Sequence, residues 1–134
     1  MHLFCNIFTQ QEQVQITGNQ LGPEESRVDL ALKDFSREKV QEFIDKANSY
    51  IAQKLPVTSY FISIEDAKKD STLFRLAGTL YENINELRIV EIEGIDKEAD
   101  GGTHVKSLGE IGKIVLVKIE NKGKERKRVY FRLE

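Results

Sequence analysis

The segment KIVLVKIENKGKERKRVYFRL, residues 113–133, has two runs rich in β-branched and aromatic side chains on either side of a polar stretch. Val, Ile, Tyr and Phe favour extended backbone because their side chains pack well on a pleated surface. The polar stretch NKGK, residues 121–124, contains the Asn and Gly that are typical of tight turns. The segment therefore predicts an antiparallel hairpin whose turn lies at residues 121–124.

Extended patterns continue upstream of this hairpin. Alternating or β-branched runs predict strands at five further places, with the loop GNQLGPEES, residues 18–26, between the first two. These runs are VQIT from Val14, RVDLAL at 27–32, VTSYFISI at 57–64, LRIVEI at 87–92 and GGTHVKSL at 101–108.

Helical spacing occurs in two longer segments. The opening MHLFCNIFTQQ predicts a helix docked on a core, and it has no N-cap residue, so we expect the helix to start upstream of Met1. The second helix follows Asp34, with Ser36 as N-cap and Leu55-Pro56 as its end. Its apolar face is Val40, Phe43, Ile44, Ala47, Tyr50 and Ile51.

A short helix is predicted after Ser63, which forms a weak capping arrangement with Asp66, and a less regular stretch follows to Tyr81. Strands and helices in this order predict the α+β class, with helices packed on one face of a mainly antiparallel sheet. At 134 residues the chain is long enough for a single domain, 1–134, with its own core.

Composition restricts the class of protein. The chain is 40% apolar and 31% charged, with one cysteine and a net charge of −2. This is a globular composition without an internal disulfide, a secretory leader or a membrane span, so we expect a cytoplasmic protein. We expect the single Cys5 to be a buried apolar side chain. The net charge argues against wholesale coating of nucleic acid, but it allows a local basic face.

A local basic face is present in the C-terminal hairpin. Lysines and arginines crowded on a hairpin can contact phosphates, although they also occur on solvated edges, where they discourage edge-to-edge association. The candidates are Lys122, Lys124, Arg126, Lys127 and Arg128.

The stretch ADGGTHV, residues 99–105, contains one of the two histidines in the chain. Asp100 and His104 could supply two ligands to a metal ion, and His2 could supply a third. Gly101 and Gly102 would allow a tight fold and would expose backbone N–H groups to an oxyanion. Spacing alone favours a polar turn over a metal site.

A wider resemblance changes that interpretation. The stretch ADGGTHVKSLGEIGKIVLVKIENKGKERKRVYF, residues 99–131, with RIVEIEGID before it, resembles the C-terminal part of the alanyl-tRNA synthetase editing domain. It is also similar to the free-standing relatives of that domain, the AlaX proteins. MHLF at the start and RVDL at 27–30 resemble further parts of the family, so the similarity covers essentially the whole chain.

The resemblance implies a fold like that of the editing domains of alanyl- and threonyl-tRNA synthetases. It also implies an aminoacyl-tRNA hydrolase that removes serine or glycine from mischarged alanine tRNA and contacts the acceptor end of the tRNA. Such a protein would be a monomer or a homodimer. The basic residues of the hairpin would bind tRNA.

The family binds zinc through HxxxH and CxxxH motifs, which implies one divalent ion held by His2, Asp100 and His104. Asp100 stands at the position of the family's cysteine, and a carboxylate is an acceptable zinc ligand. The first histidine of the family would lie upstream of Met1. Gly101, Gly102 and Thr103 are the implied catalytic residues, and Thr17, Asn19 and Gln20 are candidates for recognising the serine hydroxyl.

Two alternatives remain open. The incomplete ligand set fits a degenerate relative that binds tRNA or another partner without metal or catalysis. A plain stability or interaction module, in which His104 is a satisfied polar residue, also fits.

Overall fold

The computed structural model describes residues 1–11, 13–34, 36–74 and 83–134. Its helices are α1 (His2–Gln11), α2 (Arg37–Ala52) and α3 (Ile64–Lys68). Its strands are β1 (Ile16–Gln20), β2 (Ser26–Leu30), β3 (Val57–Ser63), β4 (Glu86–Ile92), β5 (Asp96–Ala99), β6 (Ile114–Gly123) and β7 (Arg126–Leu133). Part of the less regular stretch predicted up to Tyr81 lies outside the described residues. None of the described helices is long and apolar enough to span a lipid bilayer.

Helix α2 begins and ends for local reasons. The Ser36 hydroxyl accepts a hydrogen bond from the Lys39 backbone N–H at 3.1 Å, which confirms the predicted N-cap. The helix ends at Ala52, and Lys54 adopts a left-handed backbone with φ of 53°, just before the predicted stop at Leu55-Pro56. Its buried face is Val40, Phe43, Ile44, Ala47 and Ile51.

The described strands form two antiparallel sheets. The first has the order β1-β2-β7-β6, and the second has the order β3-β4-β5. Antiparallel pairing with a few helices confirms the predicted α+β class. The assignment of residues 1–134 to a single domain stays a prediction.

Aromatic contacts fix the position of α1 in the main core. Phe4 packs edge-to-face against Phe8 and Phe131, with ring centroids 4.9 and 4.8 Å apart, and Phe8 packs against Phe43 at 5.3 Å. Each buried aromatic side chain contributes about 1.5–3 kcal/mol through removal of apolar surface from water. These contacts hold α1 against α2 and β7, and they therefore fix the place of His2 at the start of α1.

A smaller cluster lies on the other side of the second sheet. Leu87 and Ile89 of β4 pack there on Ala67 of α3 and Leu73 of a 3₁₀ turn, Ser71–Leu73. Ile92 belongs instead to the main core. Because side chains alternate along a strand, β4 and β5 present their other face toward α1.

The predicted strand at residues 101–108 is wrong. The strand after β4 is β5, and residues 100–106 form a loop that leads to a 3₁₀ turn, Leu108–Glu110. Side chains supply part of the hydrogen bonding of this loop: Arg88 donates to the carbonyl oxygens of Asp100 and Gly102.

Two turn predictions also need correction. The predicted loop at 18–26 is shorter, because Gly18, Asn19 and Gln20 pair with β2 and belong to β1. The turn predicted at 121–124 lies further on, at Lys124 and Glu125, because β6 continues through Gly123. The hairpin of β6 and β7 itself is confirmed.

Candidate active site

A cleft of about 430 Å³ lies between α1, the β1–β2 hairpin and the end of β5. His2, Cys5 and Thr9 form one wall because residues spaced by three and four share a helix face. Cys5 is buried in that wall, as expected. The other lining residues are Met1, Ile16, Asn19, Leu21, Glu98, Ala99, Asp100 and Gly101.

The His2 imidazole is buried, with only 7% of the residue exposed. Its Nε2 lies 2.8 Å from Asp96 Oδ2 and 3.6 Å from Glu98 Oε1. Because a carboxylate only accepts, Nε2–H donates to Asp96. Its Nδ1 is buried and has no hydrogen-bond partner among the described atoms. Buried polar atoms without a partner are uncommon, so Nδ1 is available to a bound group.

Three carboxylates follow one another at alternate positions: Asp96, Glu98 and Asp100. Glu98 and Asp100 line the cleft, and Asp96 contacts His2 Nε2. Side chains at alternate positions of a strand point to the same face. Ligand atoms of His2, Asp96 and Glu98 lie within 4.8 Å of one another, close enough to share one cation. This side of the cleft is therefore rich in oxygen donors.

The His104 ring faces His2 across the site, with ring centroids 5.9 Å apart in an edge-on arrangement. His104 Nε2 lies 3.2 Å from Asp100 Oδ2, and Nδ1 lies 3.1 Å from the carbonyl oxygen of Gly102. A carbonyl oxygen only accepts, so this contact requires the hydrogen on Nδ1. Metal-binding histidines commonly have this arrangement, in which one nitrogen is held by a carbonyl and the other is presented as a ligand.

The glycines of the loop have different surroundings. The Gly102 N–H already donates to Asp100 Oδ1 at 2.7 Å. Gly101 lines the cleft, and a Cβ added there would have no atom within 4 Å. Thr103 is exposed and is not among the residues that line the cleft. Of the three predicted catalytic residues, Gly101 is thus the one that borders the cleft.

The three predicted substrate-binding residues of β1 separate onto two faces. Asn19 lines the cleft. The Gln20 side chain accepts from Arg27 Nε at 3.0 Å, on the opposite face of the sheet. Thr17 lies at the register shift of β1 and borders a small pocket beside Asp29 and Arg128. The structure therefore brings only Asn19 of this set to the histidines.

The opposite face of the four-stranded sheet carries paired charges. Arg128 donates to both carboxylate oxygens of Asp29, at 2.6 and 3.0 Å, and this lowers the pKa of Asp29 and raises that of Arg128. Hydrogen bonds from Lys118 and Lys122 lower the pKa of Glu120 to about 2. Two of the predicted tRNA-binding residues, Arg128 and Lys122, are thus engaged in ion pairs.

The remaining basic residues lie near the hairpin turn. Lys127 Nζ donates to Asn121 Oδ1 at 2.8 Å. Lys124 and Arg126 are exposed and form no ion pair with another described residue. These two cations are the members of the predicted set that an anionic partner could bind without breaking an existing ion pair.

Sequence comparisons identify proteins similar to this chain. Residues 87–130 match the family described as the threonyl and alanyl tRNA synthetase second additional domain. Over 133 residues, 98% of its length, the chain is 47% identical to an alanyl-tRNA editing protein AlaX-M from Methanosarcina barkeri, of which it covers 55%. The chain is therefore similar to AlaX-M editing proteins over almost its whole length.

Other AlaX-like and synthetase sequences match as well. The chain is 44% identical over 116 residues to AlaX-M from Saccharolobus solfataricus, covering 87% of this chain and 48% of that protein. An alanine–tRNA ligase from Methanococcus maripaludis is 38% identical over 105 residues, which are 78% of this chain and 12% of the ligase. The chain spans about half the length of the curated AlaX-M relatives it matches.

The residues of this AlaX-like cleft fit a divalent cation. His2 has an unpartnered buried nitrogen, His104 has its Nδ1 held by a carbonyl, and Asp100 lies beside His104. Two imidazoles with carboxylates suit zinc, and the additional oxygen donors would also suit harder ions.

Asp96, Glu98 and Arg88 were not predicted from the sequence. The two carboxylates could have been found from their alternation with Asp100, which predicts one acidic strand face. Their contacts with His2 could not, because they join distant parts of the chain; His2 and Asp96 are 94 positions apart. No sequence pattern indicated Arg88, because its hydrogen-bond partners are backbone carbonyl oxygens.

Proposed function

We propose that the cleft is the hydrolytic site of a trans-editing enzyme that removes serine or glycine from mischarged alanine tRNA. The observation that carries this proposal is the meeting of His2 and His104, with rings 5.9 Å apart, beside the carboxylates of the cleft. Similarity to alanyl-tRNA editing proteins supports the substrate class. The acceptor end of alanine tRNA is therefore the proposed partner.

We further propose that His2, Asp100 and His104 hold one divalent ion and that this ion is zinc. When bound, such an ion supplies positive charge that stabilises negative charge developing on a carbonyl oxygen. Asp96 bonds His2 Nε2, and the Gly102 carbonyl oxygen bonds His104 Nδ1. Each imidazole is thus oriented through the ring nitrogen that would not bind the ion. Asp100 Oδ2 lies 3.2 Å from His104 Nε2, so the two side chains are close enough to contact the same ion.

The chain itself supplies the remaining parts of the reaction. Water adds to the ester carbonyl carbon, the bond to the ribose oxygen breaks, and the free amino acid and the ribose hydroxyl are released. Gly101, whose surroundings on the cleft are open, is the residue whose backbone N–H could face the developing oxyanion. Asn19 is placed to hydrogen-bond the serine hydroxyl, an interaction that the methyl group of alanine cannot make.

Lys124 and Arg126 are the proposed contacts to the tRNA backbone. Both lie next to the hairpin turn and have no competing ion pair among the described residues. Phosphate contacts of this kind position the substrate and make its binding weaken as salt increases.

The proposal is tested by measuring the release of serine from seryl-tRNA for alanine by the wild-type chain, His104→Ala and Gln41→Ala. Gln41 is an exposed control on α2, where its side chain bonds Asp45. We expect His104→Ala to lose about 100- to 1,000-fold in kcat, because it removes a proposed ligand of the ion that would stabilise the developing negative charge. Gln41→Ala should retain wild-type kcat.

Metal analysis of the same preparations distinguishes the proposed hydrolase from a degenerate relative that binds tRNA without metal or catalysis. Bound divalent metal in the wild type that is lost in His104→Ala supports the metal site. Tight tRNA binding by a folded wild-type chain without deacylation and without metal would refute the proposal in favour of a degenerate relative.

A further inference from the structure

The half-buried Arg88 side chain lies on β4, beside the loop that carries His104. Its Nη1 donates to the carbonyl oxygen of Asp100 at 2.9 Å and to that of Gly102 at 2.7 Å. The Arg88 backbone oxygen also accepts from the Asp100 N–H at 3.1 Å. Three hydrogen bonds thus join one residue of β4 to the start of the loop.

The far end of the loop is fixed separately. Glu110 Oε2 accepts from the backbone N–H groups of Lys106 and Ser107, each at 2.9 Å, and Ser107 caps the following turn. His104 lies between these two anchors. Its position depends on both of them, because residues 100–106 have no regular secondary structure of their own.

The carbonyl of Gly102 connects Arg88 to His104. It accepts from Arg88 Nη1 at 2.7 Å and from His104 Nδ1 at 3.1 Å. The position of this oxygen determines which His104 nitrogen carries the hydrogen, and therefore that Nε2 faces Asp100 Oδ2. A displaced Gly102 carbonyl would allow the ring to rotate or to change tautomer.

We infer that Arg88 is a positioning residue that fixes the orientation and the tautomer of His104 through the carbonyl oxygen of Gly102. The catalytic consequence of this inference rests on the proposed deacylation, whereas the structural consequence does not. Arg88 suits this role because a planar guanidinium directs its hydrogens in fixed directions, which a flexible lysine ammonium does not.

The test compares Arg88→Met, Arg88→Lys and the control Arg132→Met. Arg132 is an exposed arginine of β7 that bonds Glu134. The chain has two histidines, so nitrogen NMR of the imidazoles resolves His104 against His2 as an internal reference. The spectra are recorded on metal-free protein in alkaline buffer, where neutral tautomers are distinguished directly.

We expect Arg88→Met to lose the Nδ1–H signature of His104 while His2 keeps its wild-type signals. On seryl-tRNA, kcat should fall about 100-fold, the usual cost of a small displacement of a reacting group, with KM changed by less than about threefold. Arg88→Lys should recover part of both, and Arg132→Met should match the wild type in both.

The inference is overturned if folded Arg88→Met keeps the His104 tautomer and wild-type kcat. If Arg88→Met does not fold, Arg88→Lys decides the question. An unchanged His104 signature and an unchanged kcat in Arg88→Lys overturn the inference. A partial loss of both supports it. A wild-type chain without deacylation would refute the proposed function alone, because the His104 signature would still decide the role of Arg88.

Discussion

The two faces of the four-stranded sheet differ in how the polar groups beside them are satisfied. On the outer face, Asp29 has both carboxylate oxygens bonded by Arg128, and Glu120 lies between two lysines. In the cleft, His2 retains a buried Nδ1 without a partner among the described atoms, and it lies beside Asp96 and Glu98. The outer face is therefore complete in itself, whereas the cleft has a nitrogen that only a bound group would satisfy.

This difference separates stability from function. Ion pairs of arginine or lysine with carboxylates on a sheet surface contribute modestly to stability and leave few groups for chemistry. Imidazoles beside carboxylates in a cleft are the usual setting for metal binding and proton transfer. Substitutions on the two faces should accordingly affect different measurements.

The largest expected effect is on metal affinity after substitution of Glu98. Glu98→Gln keeps the shape of the side chain but removes a charge 3.6 Å from His2 Nε2. We expect zinc to bind about 10- to 100-fold more weakly, as is typical when a group beside a metal site is changed. Calorimetric titration of zinc into metal-free protein measures this change.

Glu120→Gln is the matched control for Glu98→Gln, since it removes the same charge from the outer face. It should leave zinc affinity unchanged. Equal losses in the two variants would mean that the overall charge of the chain, rather than the cleft, determines affinity.

A smaller effect is expected on stability from Asp29→Asn. The pKa of Asp29 is lowered in the folded chain, mainly by the hydrogen bond from Arg128, from an ordinary value of 3.8. Its stabilisation is therefore complete above pH 3.8 and is lost as the pH falls through the lowered pKa. We expect Asp29→Asn to reduce the free energy of unfolding by about 0.5–1 kcal/mol at neutral pH.

Urea unfolding of Asp29→Asn and wild type at neutral pH and in strong acid tests this expectation. The difference between the two proteins should disappear in acid. Asp45→Asn, an exposed residue of α2 that accepts from Gln41, serves as control and should show little change at either pH. A stability difference for Asp29→Asn that persists in acid would contradict the ion-pair explanation.

The smallest effect concerns the cations near the hairpin turn. If Lys124 and Arg126 contact phosphates, replacing either by Ala should reduce the slope of log affinity for tRNA against log salt by about one unit. Lys122→Ala should change the slope less, because Lys122 is already paired with Glu120 at 2.7 Å. Filter binding at several salt concentrations measures the slopes. Equal slopes for all three variants would contradict the expectation that Lys124 and Arg126 contribute more to tRNA binding than the ion-paired Lys122.

Local signals predicted much of the fold. The apolar spacing of α2, the Ser36 cap and the hairpin of β6 and β7 all depend on neighbours within a few residues, and the structure confirms them. The stretch at 101–108 was misassigned as a strand, because it contains the β-branched residues Thr103 and Val105, which favour extended backbone. The Arg88 and Glu110 side chains instead form hydrogen bonds with its backbone, and no local sequence pattern predicts contacts of that kind.

The candidate site was predictable only in part. The histidines and Asp100 were identified through motif resemblance. The structure places His2 and Asp100 in the lining of the cleft, with the His104 ring 5.9 Å from that of His2. Gln20 and Thr17 were selected with Asn19 because they are polar and adjacent. A register shift between Ile16 and Gly18 determines which of them faces the cleft, and sequence alternation alone does not reveal it.

The most direct test of the central claim is the rate at which the chain releases serine from seryl-tRNA for alanine, compared with alanine from the correctly charged tRNA. The proposed cleft predicts rapid serine release and much slower alanine release, because Asn19 can bond the serine hydroxyl and finds no partner in the methyl group of alanine. Equal rates for the two substrates, or no release of either by folded and metal-loaded protein, would contradict it.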